Sequence, residues 1–267
     1  MFDARDHTFA VCAYKENPYL ESTVQSLLNQ SMASSVIIST STPNAYIETV
    51  AQKLDVPMVV NPNPHYAGDD WNYAYDAADT PLVTVAHQDD YYESGFAAAI
   101  LGAANQYDAD ELQVLFTDYY EIRDGERVDS NMLLAIKRMM NSPFKHAALN
   151  GSRFVKKRVL SFGNPVCCPA MTMVKRNLGP SVFDTTLRDS CDYKTLVELA
   201  FRGGRFVYVP QRLVGHRIYA GSATSKNLGE GIRQPENVEI MSMLWPPSVA
   251  RAIARVYALS EKSNRME

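Results

Sequence analysis

The chain predicts an α/β protein: a mostly parallel central sheet flanked by helices, followed by a helical C-terminal extension. Three observations carry this expectation. Short apolar strands alternate with amphipathic helices up to His87, which implies right-handed crossovers between parallel strands. The alternation then gives way to a hairpin signal, Asp124-Gly125, between the runs Leu112 to Ile122 and Glu126 to Val128. Finally, 267 residues with 46% apolar content supply a core for one large domain with an appendage.

The elements follow in order. Thr8 to Ala13 is an apolar strand, after which Asn17 and Pro18 offer a cap and a first-turn proline. Leu20, Val24, Leu27 and Leu28 form the buried stripe of the first helix. A strand at Val36-Ile37-Ile38 leads to Thr42-Pro43, a second cap and proline, before a helix with Ile47, Val50, Ala51 and Leu54 on one face. Pro57 to Val60 is a third strand. Trp71, Ala74, Tyr75 and Ala78 give helical spacing between Asp69 and Ala78, and Pro81 to Ala86 is the next strand. Beyond the hairpin, Asn131 to Met140 and Phe144 to Leu160 read as helices and Ala170 to Val174 as a strand. A helix from about Asp192 buries Tyr193, Leu196, Val197 and Ala200 and stops at Gly203-Gly204. Phe206 to Val209 is a strand. The tail from Asn237 is helical, broken at Trp245-Pro246-Pro247, with an apolar stripe of Val249, Ile253, Val256 and Leu259. Domain boundaries follow as 1–225, divided into 1–110 and 111–225, and an extension over 226–267.

Charge is unevenly distributed. Residues 1–110 carry 3 basic and 15 acidic side chains (−12), leaving 23 basic and 15 acidic (+8), for a net charge of −4. So acidic a first half argues against nucleic acid as a partner. The basic cluster Lys137, Arg138, Lys145, Arg153, Lys156, Lys157 and Arg158 reads as a solvated helix face or as a surface for anionic lipid or a phosphate-bearing acceptor. The four cysteines, Cys12, Cys167, Cys168 and Cys191, lack Cys-x-x-Cys spacing, so reduced and mostly buried thiols are expected. The run Ser94 to Tyr107, with 14 residues including polar ones, is too short to cross a bilayer. The charged N-terminal residues do not resemble a secretory signal, and a cytosolic location is expected.

The chemistry concentrates at His87-Gln88-Asp89-Asp90. Paired carboxylates at the carboxyl end of a strand in an open α/β sheet suit a hard divalent cation, Mg²⁺ or Mn²⁺, with a diphosphate; a loop or helix cap is the competing reading. No glycine lies between Ala10 and Tyr19, so the first strand carries neither a dinucleotide fingerprint nor a phosphate loop.

Several motifs taken together resemble the family 2 glycosyltransferases with the GT-A fold, over residues 8 to about 225. They are Val11-Cys12-Ala13-Tyr14-Lys15-Glu16-Asn17, Ser26-Leu27-Leu28-Asn29-Gln30, His87-Gln88-Asp89-Asp90, Leu187-Arg188-Asp189-Ser190-Cys191-Asp192-Tyr193, Gly203-Gly204-Arg205-Phe206 and His216-Arg217-Ile218-Tyr219. The resemblance implies that Cys12, Ala13, Tyr14 and Glu16 line the base and ribose pocket, with His87 and Gln88 near the nucleotide. Metal duty maps onto Asp89, with Asp90 alongside and His216 as a further candidate. Asp192 stands at the family's catalytic base, where it would feel the positive end of a helix dipole that favours its ionised form. Cys191 replaces the glutamate that usually precedes it. Cys168, Pro169, Asp189 and Arg217 would border the acceptor or the diphosphate, and Ala220-Gly221-Ser222 would close over it. Two departures stand out. Ser39-Thr40-Ser41-Thr42 replaces an acidic motif, leaving Thr40 or Ser41 to meet the base, and Asp70-Trp71-Asn72 lacks the family's arginine. The family's Arg-Xaa-His contact is Arg217-Ile218-Tyr219 here, so its histidine is missing or replaced by His216.

The implied activity is metal-dependent, inverting transfer of a hexose from a nucleotide-diphosphate sugar, UDP-linked by preference, to a lipid-linked or oligosaccharide acceptor in surface polysaccharide synthesis. A peripheral contact with the inner face of the cell membrane belongs to this expectation. A sugar nucleotidyltransferase and a catalytically silent binding or scaffold protein are the alternatives; retention of Asp89, Asp90 and Asp192 speaks against the silent one.

Overall fold

The computed structural model describes residues 1–219 and 231–261, the last three of these by backbone alone. Nine strands form one sheet in the order β3-β2-β1-β4-β8-β6-β9-β5, with β7 paired to β6. β1 (His7–Ala13), β2 (Ser35–Thr40), β3 (Met58–Val60) and β4 (Leu82–His87) are mutually parallel. Their residues are buried on both faces in β1 and β4, which is why these strands read as continuous apolar runs rather than alternating ones. β5 is the short pair Tyr91–Tyr92. β6 (Leu112–Arg123) and β7 (Glu126–Val128) form the expected hairpin, with Asp124 and Gly125 at φ 51° and 84°, as its turn requires. β8 (Met171–Val174) runs antiparallel to both β4 and β6, and β9 (Arg205–Ile218) runs parallel to β6 and antiparallel to β5. The last strand is far longer than the predicted Phe206 to Val209, and its far end delivers His216 and Arg217 to the rim where β4 ends.

Two layers of helices cover the sheet. α1 (Leu20–Leu28), α2 (Ala45–Lys53) and α4 (Phe96–Ala104) bury Leu20, Val24, Ile47 and Phe96 against Phe9 and Val11. On the opposite face, α3 (Ala67–Ala77), α7 (Arg153–Leu160) and α9 (Cys191–Ala200) pack around Phe116 and Phe206. α10 (Arg233–Ser242) and α11 (Pro247–Glu261) add Ile240, Met241, Ala250 and Ala254 to that second core.

Several local expectations are corrected. α1 starts one turn after its predicted cap, because Asn17 instead accepts from the Tyr19 N–H at 3.0 Å and closes a turn around Pro18. Asn44, not Thr42, caps α2 by accepting from Ile47 N–H at 3.0 Å. Leu28 stays exposed. The predicted helix from Phe144 to Leu160 is broken into a short turn, α6 (Ala147–Asn150) and α7, because Ser152 at the Gly151 break caps a new helix start. α5 (Met132–Asn141) and a short α8 (Lys175–Leu178) complete the set. In α11 the inward residues are Ala250, Ala254 and half-buried Ile253, whereas Val249 and Val256 face solvent; Leu259 lies outside the residues whose side chains are described. The small alanines let this helix approach closely.

The basic cluster does not form one solvated face. Lys156 is fully buried, donating to Gln113 Oε1 (2.8 Å) and to the carbonyls of Arg202 (3.0 Å) and Gly204 (2.8 Å), and burial pushes its pKa down to about 8. Lys137 and Arg138 turn inward onto Tyr119 and Asp118.

One buried group sets an acid limit on the fold. His7 is completely enclosed between Ser34 Oγ (2.9 Å from Nδ1) and Thr84 Oγ1 (2.8 Å from Nε2), and burial lowers its pKa from 6.5 to about 3. Below pH 6.5 the unfolded chain binds a proton that the folded chain refuses, so stability falls as pH drops towards 3. The full loss is roughly 5 kcal/mol. Urea unfolding of the wild type and of His7→Gln between pH 7 and pH 4 should show a steeper decline for the wild type; parallel slopes would remove His7 as the cause.

Candidate functional site

The site lies where the carboxyl ends of β1, β2 and β4 meet the far end of β9. β4 ends at His87, and the turn that follows carries Gln88, Asp89 and Asp90. Ligand atoms of His87, Asp89 and Asp90 all lie within 4.8 Å of one another. Asp90 is buried, its Oδ1 accepting from His216 Nδ1 (3.0 Å) and from the Arg217 N–H (2.8 Å). Burial alone would raise its pKa, but the charge and hydrogen bond of His216 outweigh that and hold it below the usual carboxylate range. His216 moves the other way: burial lowers it, and Asp90 raises it further than burial lowers it. Asp89 is pushed up by burial and by the neighbouring charge of Asp90. Among the described residues, the buried Asp90 Oδ2 and His87 Nε2 have no hydrogen-bond partner.

Orphaned buried acceptors are costly, and their desolvation is offset when a cation sits among them. An imidazole nitrogen and carboxylate oxygens form a donor set that fits Mn²⁺ better than Mg²⁺. The residues therefore fit a divalent cation. His87 is kept in place by Trp71, which stacks on it at 5.2 Å. Tyr219 donates to Asp89 Oδ2 at 2.7 Å and accepts from Asn17 Nδ2 at 3.0 Å. The contact expected from a histidine at this point is thus made to Asp89 by a tyrosine hydroxyl, while His216 is taken up by Asp90. Arg217 donates from Nε to the Asp89 carbonyl (2.9 Å), and its guanidinium lies over the Tyr19 ring at 3.9 Å. Ala220-Gly221-Ser222 lies outside the described residues.

At the end of β1, Gln88 clamps the chain rather than pointing into open space: it accepts from Tyr14 N–H (2.9 Å) and donates to Tyr14 O (3.1 Å). That clamp extends the β1–β4 ladder by one step and leaves the Tyr14 ring 51% exposed over the rim. Ala13 is buried, Glu16 is exposed, and the half-buried Cys12 thiol faces the Asp70 carbonyl, its pKa raised by burial. Thr40 is spent within its own turn, accepting from Thr42 N–H. Ser41 donates to Asp70 Oδ2 (2.8 Å), and Asn61 Nδ2 donates to Asp70 Oδ1 (2.8 Å). A carboxylate thus stands beside Ser41 after all, supplied by α3 instead of β2. Its local signal, an acid in the first turn of a helix, was visible; its meeting with Ser41 was not.

Asp192 sits in the first turn of α9, accepting from Asn164 Nδ2 at 2.8 Å. The helix dipole does not prevail here. Burial pushes the Asp192 carboxyl above the ordinary range, with the Arg233 charge and the Tyr193 N–H holding it partly back. His87 also acts on it electrostatically, which puts Asp192 and the β4 cluster in one field. Cys168 is half-buried and senses Asp192, whereas Pro169 is buried and only its carbonyl is used, accepting from Tyr92. Asp189 pairs with Arg233.

The backbone before α9 forms a nest of N–H groups. Glu236 of α10 fills it, its carboxylate accepting from Arg188 (2.8 Å), Asp189 (3.1 Å) and Ser190 (2.8 Å). Behind Asn164, Trp245 donates to the Ser161 carbonyl (2.9 Å), and Gly163, at φ 133°, lies so close to the Tyr257 ring that a Cβ there would sit 2.4 Å from it. Arg233 and Glu236 were not singled out from sequence, and Trp71 was read only as part of a helical stripe; each acts across the fold, and no local spacing marks that role.

Comparison with known proteins fits this geometry. A family model described as "Glycosyl transferase family 2" matches residues 8–179. A search of curated proteins gives no match. Among solved structures, a mannosyltransferase from Pyrobaculum calidifontis, in complex with GDP-Man and Mn²⁺, superposes with a TM-score of 0.63 at 13% identity, over 97% of this chain and 70% of that one. TarS 1–349 of S. aureus, in complex with UDP-GlcNAc, gives 0.62 at 14% identity over 97% and 73%. Glucosyl-3-phosphoglycerate synthase of Mycobacterium tuberculosis, with Mn²⁺ and UDP-glucose, gives 0.59 at 14% over 90% and 79%. At these identities the likeness establishes the fold, the GT-A arrangement of a mostly parallel sheet between helices.

Proposed function

The chain belongs to glycosyl transferase family 2, and we propose that it moves a hexose, with inversion, from a nucleotide-diphosphate sugar, UDP-linked by preference, to a hydroxyl of a lipid-linked or oligosaccharide acceptor in surface polysaccharide synthesis. The observation that carries this reading is the cluster of half-buried His87 and Asp89 with buried Asp90, whose Oδ2, like His87 Nε2, has no hydrogen-bond partner among the described residues, in one electrostatic field with Asp192.

Asp89 and His87 would hold a divalent cation, with Asp90 completing the set through Oδ2 and fixing the orientation of His216 through Oδ1. Such a cation neutralises charge developing on a departing diphosphate. Tyr14 offers a ring face to the base, and Asp70, held by Ser41 and Asn61, offers an acceptor to an imide N–H, a group that uracil and guanine share. Arg217 stands at the diphosphate side. Asp192 takes the acceptor hydroxyl's proton as that oxygen bonds to the anomeric carbon, while the bond to the nucleoside diphosphate breaks on the opposite face. A raised pKa makes this carboxylate a stronger base than a solvated one, and Asn164 aims it.

The reading is tested by the thermal stabilisation of the protein with UDP, GDP, ADP and CDP, with and without Mn²⁺. UDP and GDP should raise Tm by several degrees only with the cation, and ADP and CDP should not. No shift with any nucleotide would favour a catalytically silent protein, and equal shifts without Mn²⁺ would remove the cation role.

A further inference from the structure

α5 anchors itself through Leu134, which is fully buried, yet leaves three large apolar side chains in solvent. Its charged residues point into the protein: Arg138 donates from Nε to Asp118 Oδ2 (2.6 Å) and from Nη2 to Tyr119 O (2.9 Å), and Lys137 donates to the Tyr119 hydroxyl (3.0 Å). Three of its apolar residues point out, with Met132, Ile136 and Met139 exposed by 81%, 40% and 68%. Their spacing of four and three places all three on one face of the helix. A soluble helix normally does the reverse, so this face is shaped for something other than water.

The surrounding sequence names the partner. From residue 130 to residue 183 the chain contains nine lysines and arginines and no aspartate or glutamate. The same stretch exposes Leu149, Phe154 and Phe162 along with Lys145, Arg153 and Arg158. Of the nine cations, Arg138 and Arg176 pair with Asp118 and Asp110 and Lys156 is buried, but Lys145, Arg153 and Arg158 are exposed. Large apolar side chains interleaved with exposed cations complement an anionic lipid surface, where methionine and phenylalanine enter the acyl boundary and lysine and arginine meet phosphates. A second copy docked through the same face would cover the apolar side chains but would set like charges against each other.

We propose that α5, together with the acid-free stretch that follows it, rests on an anionic bilayer. The surface adjoins the site: Lys137 binds Tyr119, whose ring meets that of His216 at 6.2 Å. A hydroxyl carried on a lipid would therefore be presented one helix away from the β4 cluster. Among the described residues no helix is long and apolar enough to cross a membrane, so attachment is lateral. The inference deepens the proposed function by naming the carrier of the acceptor, and it rests on that reading only for the purpose of the contact.

The full chain is to be sedimented with vesicles of phosphatidylcholine alone and of phosphatidylcholine mixed with phosphatidylglycerol, at low and high salt. The protein should pellet with the mixed vesicles only, and less at high salt. Met132→Ser with Met139→Ser should cut partitioning at least tenfold, and Lys145→Glu with Arg153→Glu should cut it roughly fivefold per charge. Because all four positions are exposed, melting temperatures should match the wild type, and UDP stabilisation with Mn²⁺ should be unchanged. A wild type that stays in the supernatant with both vesicles overturns the proposal, as does a dimer that the methionine variants dissociate without any vesicle binding. Nucleotide stabilisation is read separately, so failure on vesicles leaves the donor site standing.

Discussion

Asp192→Asn is expected to lower kcat by about 10²–10⁴-fold, the usual contribution of a positioned general base. The amide keeps the shape of the side chain and can still accept from Asn164, so helix α9 and its packing should be undisturbed. What it lacks is a lone pair basic enough to take the acceptor's proton. Donor affinity should stay within about twofold, since binding the nucleotide does not draw on that lone pair. The pH profile adds a second readout. Burial raises the Asp192 pKa, so in the wild type kcat/KM should fall as the pH drops through a value above the ordinary carboxylate range. Below it the protonated carboxyl cannot accept. In the variant that acid limb should vanish. Comparable turnover, or an acid limb retained unchanged, would take the base role from Asp192.

Asp90→Asn should strike binding where Asp192→Asn strikes chemistry. Asp90 is 1% exposed and faces His216, His87 and the Arg217 N–H, so its charge is set against the half-buried His216 imidazole that it hydrogen-bonds. Removing one partner of a buried ionic contact costs about 3–5 kcal/mol, because the other is left uncompensated. The amide can still accept from the Arg217 N–H, but it offers no anionic oxygen to a cation. Calorimetric titration of UDP in the presence of Mn²⁺ should therefore show affinity lower by a hundredfold or more, with a melting temperature several degrees down. Unchanged affinity with Mn²⁺ would mean that Asp90 only braces β9, and the cation would then have to rest on Asp89 and His87 alone.

The parts of this molecule that could be read in advance are those governed by near neighbours. Alternating apolar strands and helices gave the parallel half of the sheet, Asp124-Gly125 gave the hairpin, and the carboxylates after β4 gave the acidic part of a cluster whose third member is His87, while His216 is held by Asp90. Long-range partnerships were hidden. Ser39-Thr40-Ser41-Thr42 looked like a lost acid, yet Asp70 arrives beside Ser41 from a helix that begins 26 residues after it. Asn17 and Thr42 looked like caps, but the Tyr19 and Lys15 N–H groups claim their side-chain oxygens, so each helix starts later. The amphipathic pattern of α5 was plain, but periodicity cannot say which face turns inward; that depended on Asp118 and Tyr119 in a different strand. Lys156 was hidden for the same reason, since its carbonyl partners close around it only when α9 ends at the glycine pair.

The last two helices hold Asp192 from both sides, Glu236 in front of its helix and Trp245 and Tyr257 behind the loop that carries Asn164. The polar contacts of the β4 cluster come, among the described residues, from side chains up to Tyr219, while the two helices support it only through the second core, where Ile240, Met241, Ala250 and Ala254 join Val83 and Val85 of β4. A chain still leaving the ribosome, or one clipped ahead of Arg233, would accordingly have the side chains of the proposed donor site but neither the full core beneath them nor the contacts that aim Asp192, the proposed proton acceptor. Capture of the sugar and its release to another molecule would mature at different moments in the life of the polypeptide, the second only once its closing residues had folded home.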